Sequence, residues 1–261
     1  MSNPVRIAVC GARGRMGRET ATAIAASSDF VLCGIIVRPS TATLEGIAAP
    51  AFYSLPEALA ATTPQCIVDF TNAEAAIHFA EIALHAHVPF VSGTTGMTSH
   101  QLDTLRRLSE QQQTGCVIAP NFAIGAVLAM HFAAIAARYY NWSEVIELHH
   151  EKKNDAPSGT ALGTAQAMLA AHAHPFEHTA ASKQTLPGTR GGEFSGIHIH
   201  SIRLPGLVAH QEVLFGGTGE VLTIRHDSLA RSSFMPGIFR AISWATTHPQ
   251  FAYGLAPILG L

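Results

Sequence analysis

The chain has few charged residues and almost no excess of either sign. Charged residues make up 13% of its 261 residues, and the formal net charge is −2. This composition provides no basic surface of the kind that binds nucleic acid or an anionic membrane. An apolar run of roughly 18 residues, long enough to span a membrane, is missing, and we see no signal peptide. These absences predict a cytoplasmic protein without a nucleic-acid or membrane partner.

Cysteine is also scarce, and the potential metal ligands lack a recognisable spacing. The four cysteines are far apart, and each lies in or beside an apolar, strand-like run. This favours buried free thiols over disulfides or a metal site. His198 and His200 alternate on one predicted strand face, but no Cys or carboxylate follows at a defined spacing, so we predict no metal. Apolar residues, at 48%, suffice for a substantial core.

A glycine-rich turn joins the first predicted strand, 5–10, to the first predicted helix, 18–27. The turn reads Gly11-Ala-Arg-Gly-Arg-Met-Gly17. In dinucleotide-binding proteins such a turn lets the backbone approach the pyrophosphate, and the helix start holds its charge. The glycine spacing is one residue wider than in the commonest dehydrogenases, and a tight turn without a nucleotide is the alternative.

Arg38 follows the second predicted strand, 30–37. Enzymes that prefer NAD place an acid at this point for the ribose hydroxyls. Here no acid occurs between 37 and 43, and Glu45 is the first candidate. An arginine suits the 2′-phosphate of NADPH, with an exposed loop arginine as the alternative.

Strands and helices continue to alternate as far as residue 122. Such alternation predicts a parallel, doubly wound sheet whose strands place their carboxyl ends along one crevice. The residues at these predicted ends are Gly11, Arg38, Thr71, Gly93 to Thr95 and Ala119 to Phe122.

The pattern changes after a helix predicted over 124–140. Three half-buried strands, 197–204, 210–215 and 220–226, are separated by turns and not by helices, which is typical of a mostly antiparallel sheet. The segment 186–196 is predicted to be loop-rich. We therefore expect an α/β protein with a Rossmann-like, doubly wound parallel sheet domain and a second, α+β domain with a mostly antiparallel sheet.

One stretch, 147–161, gathers ionisable residues at the end of a predicted strand. Two histidines and two lysines lie within five residues, and a helix is predicted to begin at Ser158. The unpaired N–H groups of a helix start attract anions, and His and Lys are common proton donors near neutral pH. The stretch predicts a site that holds and protonates an anionic substrate, with a solvated strand end as the alternative.

With several shorter motifs, this stretch resembles the dihydrodipicolinate reductases (4-hydroxy-tetrahydrodipicolinate reductases) of bacterial lysine and diaminopimelate biosynthesis. The resemblance covers nearly the whole chain in order, and the 147–160 motif is its most specific part. It rests on Gly11 to Gly17, Val68-Asp-Phe-Thr71, Gly93-Thr-Thr-Gly96, Ala119-Pro-Asn-Phe122, Glu147-x-His-His-x-x-Lys-x-Asp-Ala-Pro-Ser-Gly-Thr160, His200-Ser-Ile-Arg-Leu-Pro-Gly206 and His210-Gln-Glu-Val213.

The resemblance implies an NAD(P)H-dependent oxidoreductase, usually a homotetramer. Its cofactor domain would comprise 1–121 and 231–261, and 122–230 would bind substrate and build the oligomer. The implied substrate, 4-hydroxy-tetrahydrodipicolinate, is a cyclic imine with two carboxylates that is reduced to tetrahydrodipicolinate. Arg38 stands where some members carry an acid that accepts both cofactors, so we expect NADPH to be preferred and NADH to be possible.

The resemblance also assigns roles by position in the motifs. His149 and Lys153 take the catalytic roles, and which of them donates the proton is left open. The substrate-binding residues are His150, Ser158, Gly159 and Thr160. The cofactor-binding residues, which Arg38 joins from its place after the second strand, are Gly11, Ala12, Arg13, Gly14, Arg15, Met16, Gly93, Thr94, Thr95, Ala119, Pro120, Asn121 and Phe122.

Two other classes of function stay open at this point. A different NAD(P)-dependent oxidoreductase, such as an amino-acid dehydrogenase, would not need Lys153 together with the Pro-Ser-Gly-Thr turn. A non-enzymatic NADPH-sensing Rossmann protein would bind the cofactor but should lack the cluster of His, Lys and a helix start.

Overall fold

A computed structural model describes residues 3–39, 46–179, 183 and 185–261. The chain divides into two compact units. Unit 1 comprises Met1–Phe122 and Phe234–Leu261, and unit 2 comprises Ala123–Ser233. The predicted domain boundaries lay after residues 121 and 230. That unit 1 binds the cofactor and unit 2 the substrate stays a proposal.

Unit 1 contains a parallel sheet flanked by helices. Its described strands are β1 (Val5–Cys10), β2 (Phe30–Ile36), β3 (Ala51–Phe52), β4 (Cys66–Asp69), β5 (Phe90–Ser92), β6 (Cys116–Ile118) and β12 (Phe251–Tyr253). The described helices are α1 (Arg15–Ala25), α2 (Leu55–Thr62), α3 (Ala73–His85), α4 (Ser99–Gln112), α7 (Met235–Thr247) and α8 (Ala256–Leu259).

The strand order of this sheet is β12-β6-β5-β4-β1-β2-β3, and every described pair is parallel. The predicted doubly wound sheet is therefore confirmed. Its inner strands are short runs of branched or small apolar residues that are buried, as expected for strands covered by helices on both faces.

Side-chain caps begin several of these helices where the sequence offers Ser, Thr or Asn. The Ser54 side chain accepts from the Glu57 N–H and the Asn72 side chain from the Ala75 N–H. Thr98 and Gln101 form a reciprocal capping box at α4. Each cap satisfies an N–H that the helix itself leaves unpaired, so these boundaries are specified locally.

The register aligns the strand ends from which the predicted cofactor loops begin. Cys10 lies opposite both Ile36 and Asp69, Asp69 lies opposite Ser92, and Ser92 lies opposite Ile118. Each of these residues ends or nearly ends its strand, and the strands are parallel. The loops that follow β1, β2, β4, β5 and β6 therefore leave the sheet along one edge.

Unit 2 contains a five-stranded mixed sheet among its described residues, in the order β11-β10-β7-β9-β8. The strands are β7 (Trp142–His149), β8 (Gly192–Phe194), β9 (Ile197–Arg203), β10 (Ala209–Gly217) and β11 (Glu220–Ser228), and the helices are α5 (Ile124–Ala136) and α6 (Gly159–Ala171). Only the pair β7 and β9, which α6 connects, is parallel among those described. The mostly antiparallel sheet is confirmed.

The core of unit 2 lies between this sheet and its two helices. Alternate β7 residues point toward the helices, and Val145 packs there with Met168 of α6 and Phe215 of β10. The same alternation places Glu147, a charged residue, on the buried side of β7. A buried carboxylate is costly unless it is paired, so its partners define the site described below.

Several element boundaries differ from the predictions. The segment 186–196, predicted to be loop-rich, contains β8, and neither β3 nor β12 was predicted. Strands of two or three residues are too short to show an alternating pattern. Helix α5 ends at Ala136, one turn before the predicted end, and α1 begins at Arg15 because the extended Gly14 serves as its N-cap.

Candidate active site

The glycine turn of unit 1 is shaped for close approach of a ligand to the backbone. Gly11 has a φ of +80°, and a Cβ there would lie 2.6 Å from the Phe70 carbonyl oxygen. A Cβ on Gly17 would lie 2.2 Å from the Gly11 oxygen, so α1 packs directly on the turn. The first turn of α1, described in full, has no acidic residue, and its N-cap Gly14 makes no side-chain cap. This arrangement fits the pyrophosphate of a dinucleotide.

A buried aspartate connects the next two loops of this edge. The Asp69 carboxylate accepts hydrogen bonds from the hydroxyls of Thr71 (2.6 Å), Ser92 (2.8 Å) and Thr94 (2.8 Å). Burial raises the pKa of Asp69, and these hydrogen bonds oppose that rise. The loops after β4 and β5 are therefore held together from beneath. Asp69 lies in one of the motifs that carry the resemblance, but the sequence predicts no role for it.

The predicted cofactor residues lie at the strand ends of unit 1. Four are buried, namely Ala12, Thr94, Ala119 and Phe122. Five are exposed, namely Gly14, Arg15, Arg38, Thr95 and Pro120, and five are half-buried, namely Gly11, Arg13, Met16, Gly93 and Asn121. Arg38 follows β2 at the edge that these loops share, whereas Glu45 lies outside the described residues.

In unit 2, Glu147 near the end of β7 connects the side chains that the sequence predicts to form a site. Its side chain is fully buried. One oxygen, Oε2, accepts from His149 Nδ1 at 2.5 Å and from Arg203 Nη1 at 2.9 Å. The other, Oε1, accepts from Arg203 Nη2 at 2.7 Å and from the Ser158 backbone N–H at 3.2 Å. One carboxylate thus contacts an imidazole, a guanidinium and the start of α6.

These contacts set the charge state of the carboxylate. Burial alone would raise the pKa of Glu147, but hydrogen bonds from His149 and Arg203 outweigh burial and lower that pKa to about 2. The same contact with Glu147 raises the pKa of Arg203. Glu147 is therefore ionised at neutral pH and acts only as a hydrogen-bond acceptor.

Lys153 lies in the turn between β7 and α6. Its Nζ contacts both carboxylate oxygens of Asp155, at 2.8 and 2.9 Å, and its side chain is 22% exposed. The contact with Lys153 lowers the pKa of Asp155. Arg203 Nη2 also donates to the Asp155 carbonyl at 2.7 Å. Asp155 therefore contacts Lys153 through its carboxylate and Arg203 through its carbonyl, and Arg203 in turn contacts Glu147.

His150 helps to shape the same turn. Its Nδ1 accepts from the Lys152 N–H at 3.2 Å, and its carbonyl accepts from the Lys153 N–H at 3.1 Å. The ring is half-buried. That His150 binds substrate stays a prediction.

The start of α6 is partly occupied by the protein itself. Ser158 is 2% exposed, its Oγ accepts from the Ala161 N–H, and its own N–H donates to Glu147. The sequence predicts free N–H groups at this helix start, but the Ser158 N–H is occupied by Glu147. Gly159 is exposed, and a Cβ on it would meet no atom of the described residues within 4 Å. At this helix start the exposed residue is therefore Gly159, and Thr160 beside it is half-buried.

The contacts of Glu147 and Arg203 were not predicted, although both residues lie in the motifs that carry the resemblance. One signal was available for Glu147, because its place in the alternation of β7 puts a charge on the buried face. None was available for Arg203, which reaches Glu147 across 56 residues of sequence through the pairing of β9 with β7.

Other features of the described residues bear on the remaining predictions. All four cysteines, each within the described ranges, are free and buried, as predicted. No group of three or more His, Cys, Asp or Glu among the described residues is arranged to hold a metal ion. None of the described helices has both the length and the apolar character needed to cross a membrane.

Comparisons with known proteins agree along the whole chain. The family model for the N-terminus of dihydrodipicolinate reductase matches residues 5–122, and that for its C-terminus matches 125–259. The chain is 45% identical to the 4-hydroxy-tetrahydrodipicolinate reductase of Geobacillus kaustophilus and 44% identical to that of Lysinibacillus sphaericus. In both cases 98% of this chain and 99% of the relative are covered.

A solved structure is similar over the same length. The dipicolinate-bound dihydrodipicolinate reductase of Paenisporosarcina sp. TG-14 matches with a TM-score of 0.89 and 38% identity. The match covers 98% of this chain and 99% of that one. Similarity in sequence and in fold therefore points to a single family.

Proposed function

The chain belongs to the dihydrodipicolinate reductase family, and from this premise we propose how its residues carry out the reaction. It is an NAD(P)H-dependent oxidoreductase of lysine and diaminopimelate biosynthesis that reduces 4-hydroxy-tetrahydrodipicolinate. Neither an amino-acid dehydrogenase nor a cofactor-sensing protein accounts for both the family match and the cluster at the end of β7.

The substrate carries two carboxylates, and the β7–α6 connection has groups to hold them. In our proposal one carboxylate lies at the start of α6, against the exposed Gly159 and beside Thr160, where the helix dipole and the backbone favour an anion. Lys153 attracts the other carboxylate, for which it leaves Asp155. His150 contributes at the rim. The Paenisporosarcina relative binds dipicolinate, a planar dicarboxylate of similar size, which supports the recognition of a substrate with two carboxylates.

Reduction of the conjugated imine also requires a proton. Lys153 and His149 are the two candidates on this chain, and they lie at the two ends of the series of contacts that includes Glu147. Lys153 carries its proton as an ammonium and is partly exposed. His149 has Nδ1 occupied by Glu147, which leaves Nε2 for the substrate. A positioned acid of this kind contributes about 10²–10⁴ in rate.

In unit 1, we assign the cofactor to the glycine turn and to the loops after β4, β5 and β6. The close approach at Gly11 and the start of α1 without an acid fit the pyrophosphate. When bound, the nicotinamide supplies the hydride. Asp69 keeps the loops of Thr71 and Thr94 in place. Arg38, exposed after β2, favours NADPH over NADH because its guanidinium pairs with the 2′-phosphate of NADPH.

The observation that carries the proposal is that Glu147 brings His149, Arg203 and the start of α6 to one point. The test is oxidation of NADPH on addition of freshly prepared 4-hydroxy-tetrahydrodipicolinate. We expect rapid oxidation that dipicolinate inhibits competitively with the substrate. A chain that oxidises no NADPH with this substrate, or that millimolar dipicolinate neither inhibits nor protects, would contradict the proposal.

We also propose that the enzyme is a cytoplasmic homotetramer assembled through unit 2. The support is the family membership, together with exposed apolar side chains on unit 2 such as Trp142 and Val221, which are 41% and 67% exposed. Native mass spectrometry measures the number of subunits, and a monomer at micromolar concentration would contradict the assembly.

A further inference from the structure

Glu147 has more partners in the site than a stabilising ion pair needs. Four hydrogen bonds reach its two oxygens, from His149, from both terminal nitrogens of Arg203 and from the Ser158 N–H. Its side chain is fully buried, while those of His149 and Arg203 are 14% and 19% exposed. The carboxylate therefore lies beneath the site and cannot itself touch the substrate.

Each partner belongs to a different part of the site. His149 is a candidate proton donor, Arg203 supports the turn of Lys153 through the Asp155 carbonyl, and Ser158 begins the helix at which the substrate carboxylate is proposed to bind. Displacement of one carboxylate would disturb all three. The contact with the imidazole is the shortest of the four, at 2.5 Å.

The contact with His149 also determines which ring nitrogen faces outward. An ionised carboxylate can only accept a hydrogen bond, so Nδ1 of His149 must carry a hydrogen. The neutral imidazole then has its lone pair on Nε2, and the protonated ring has its second N–H there. In both states the ring is held in one orientation with Nε2 directed away from Glu147.

We propose that Glu147 is a positioning residue of the reaction, which acts through His149 by fixing the orientation and tautomer of its ring. The proposal rests on the role proposed above for His149. It differs from a structural role, because a carboxylate that only stabilises the fold would lower activity whether or not His149 is present.

A double-mutant cycle on the full-length enzyme separates the two roles. Glu147→Gln preserves volume but removes the charge, and we expect kcat to fall about 10–100-fold, the usual cost of losing a group that orients another. His149→Gln should lower kcat by about 10²–10⁴. The double variant should be no slower than His149→Gln within roughly a factor of three, since groups that act as a unit are not additive. The Kd for NADPH should be unchanged throughout.

The chain provides a matched control on the same strand. Glu144 also contacts an arginine and a histidine, Arg190 and His200, but it lies on the opposite face of β7 and is 33% exposed. Glu144→Gln removes an equivalent cluster, and we expect its kcat to stay within about twofold of wild type, because substitutions outside the site rarely affect more than stability.

The outcomes distinguish this inference from the proposed function. If the wild type does not reduce the substrate, the proposed function fails and the inference with it. If the wild type is active and the His149→Gln variant is equally fast, the role of His149 is overturned, and therefore that of Glu147. A double variant whose loss equals the product of the single losses overturns the inference alone.

Loss of the charge of Glu147 leaves the half-buried Arg203 without its counter-ion, which can prevent folding, so the cycle has a second background. Arg203→Met removes the unpaired cation, and the cycle is repeated with Glu147→Gln and His149→Gln in that variant. Non-additivity there supports the inference, and additivity overturns it.

Discussion

Arg38 provides the most direct test of how the proposed cofactor site discriminates. It is exposed and follows β2 at the edge of the sheet where the glycine turn also lies. The perturbation is Arg38→Glu, which replaces a side chain able to pair with a 2′-phosphate by one that repels it and accepts hydrogen bonds from the ribose hydroxyls.

The exposure of Arg38 sets the magnitude. A well-formed charge-assisted hydrogen bond contributes about 1.5–3 kcal/mol. Because Arg38 is exposed and screened by solvent and salt, we take the low end, about 1–2 kcal/mol, or roughly a 5–30-fold preference for NADPH in the wild type. Arg38→Glu should abolish or reverse that preference. Because the contact between Arg38 and the 2′-phosphate is electrostatic, the preference for NADPH should decrease as added salt shortens the Debye length from about 10 Å to about 3 Å.

The assay is the Kd of each cofactor by fluorescence titration, with kcat/KM measured in parallel at low and high salt. Arg107→Glu is the matched control, since Arg107 is an exposed arginine of unit 1 on α4, and its change in charge should leave the NADPH/NADH ratio unaltered. Arg15, exposed in the glycine turn, can also contact the 2′-phosphate and so reduce the effect of Arg38→Glu on the NADPH/NADH ratio. A wild type that uses NADH better, or a ratio that does not respond to Arg38→Glu, would refute the reasoning.

The remaining predictions concern unit 2. Lys153→Met should lower kcat by about 10²–10⁴ and leave the Kd for NADPH unchanged. The control is Lys152→Met, which should keep a kcat near wild type because the Lys152 side chain is 79% exposed. Equal steady-state rates for the two variants would remove Lys153 from the mechanism. Gly159→Val should raise KM for the substrate steeply, because a side chain there obstructs the anion. It should not lower Tm, because a Cβ at this position meets no described atom within 4 Å. Gly163→Ala on the same helix is the control, and an unchanged KM in Gly159→Val would place the anion elsewhere. The folded state lowers the pKa of Glu147 from 4.5 to about 2, so the ionised carboxylate stabilises the fold by about 3 kcal/mol above pH 4.5, and this contribution is lost as the pH falls toward 2. Between pH 6 and pH 3, the free energy of unfolding measured with denaturant should therefore decrease less in Glu147→Gln than in wild type. Equal decreases would contradict the assignment.

Local sequence alone was sufficient where a structural feature depends on neighbouring residues. The glycine turn after β1 needs only a strand, a run of small residues and a helix start, and all three lie within about twenty residues. Ser158 was identified as the N-cap of α6 for the same reason, since a cap hydrogen bond spans three residues. The parallel and antiparallel sheets followed from the alternation of strands with helices in one part and with turns in the other.

The tertiary structure decided the contacts that lie far apart in sequence. Asp69 reaches Ser92 and Thr94 across 23 and 25 residues, and Arg203 reaches Glu147 across 56. These residues come within hydrogen-bond distance only because β4 pairs with β5 and β7 pairs with β9. Pattern and propensity report which face of a strand is buried, but the neighbour of that strand depends on the packing of the whole sheet. For this reason the sequence predicted His149 and Lys153, and only the fold identified the carboxylate and the guanidinium that connect them.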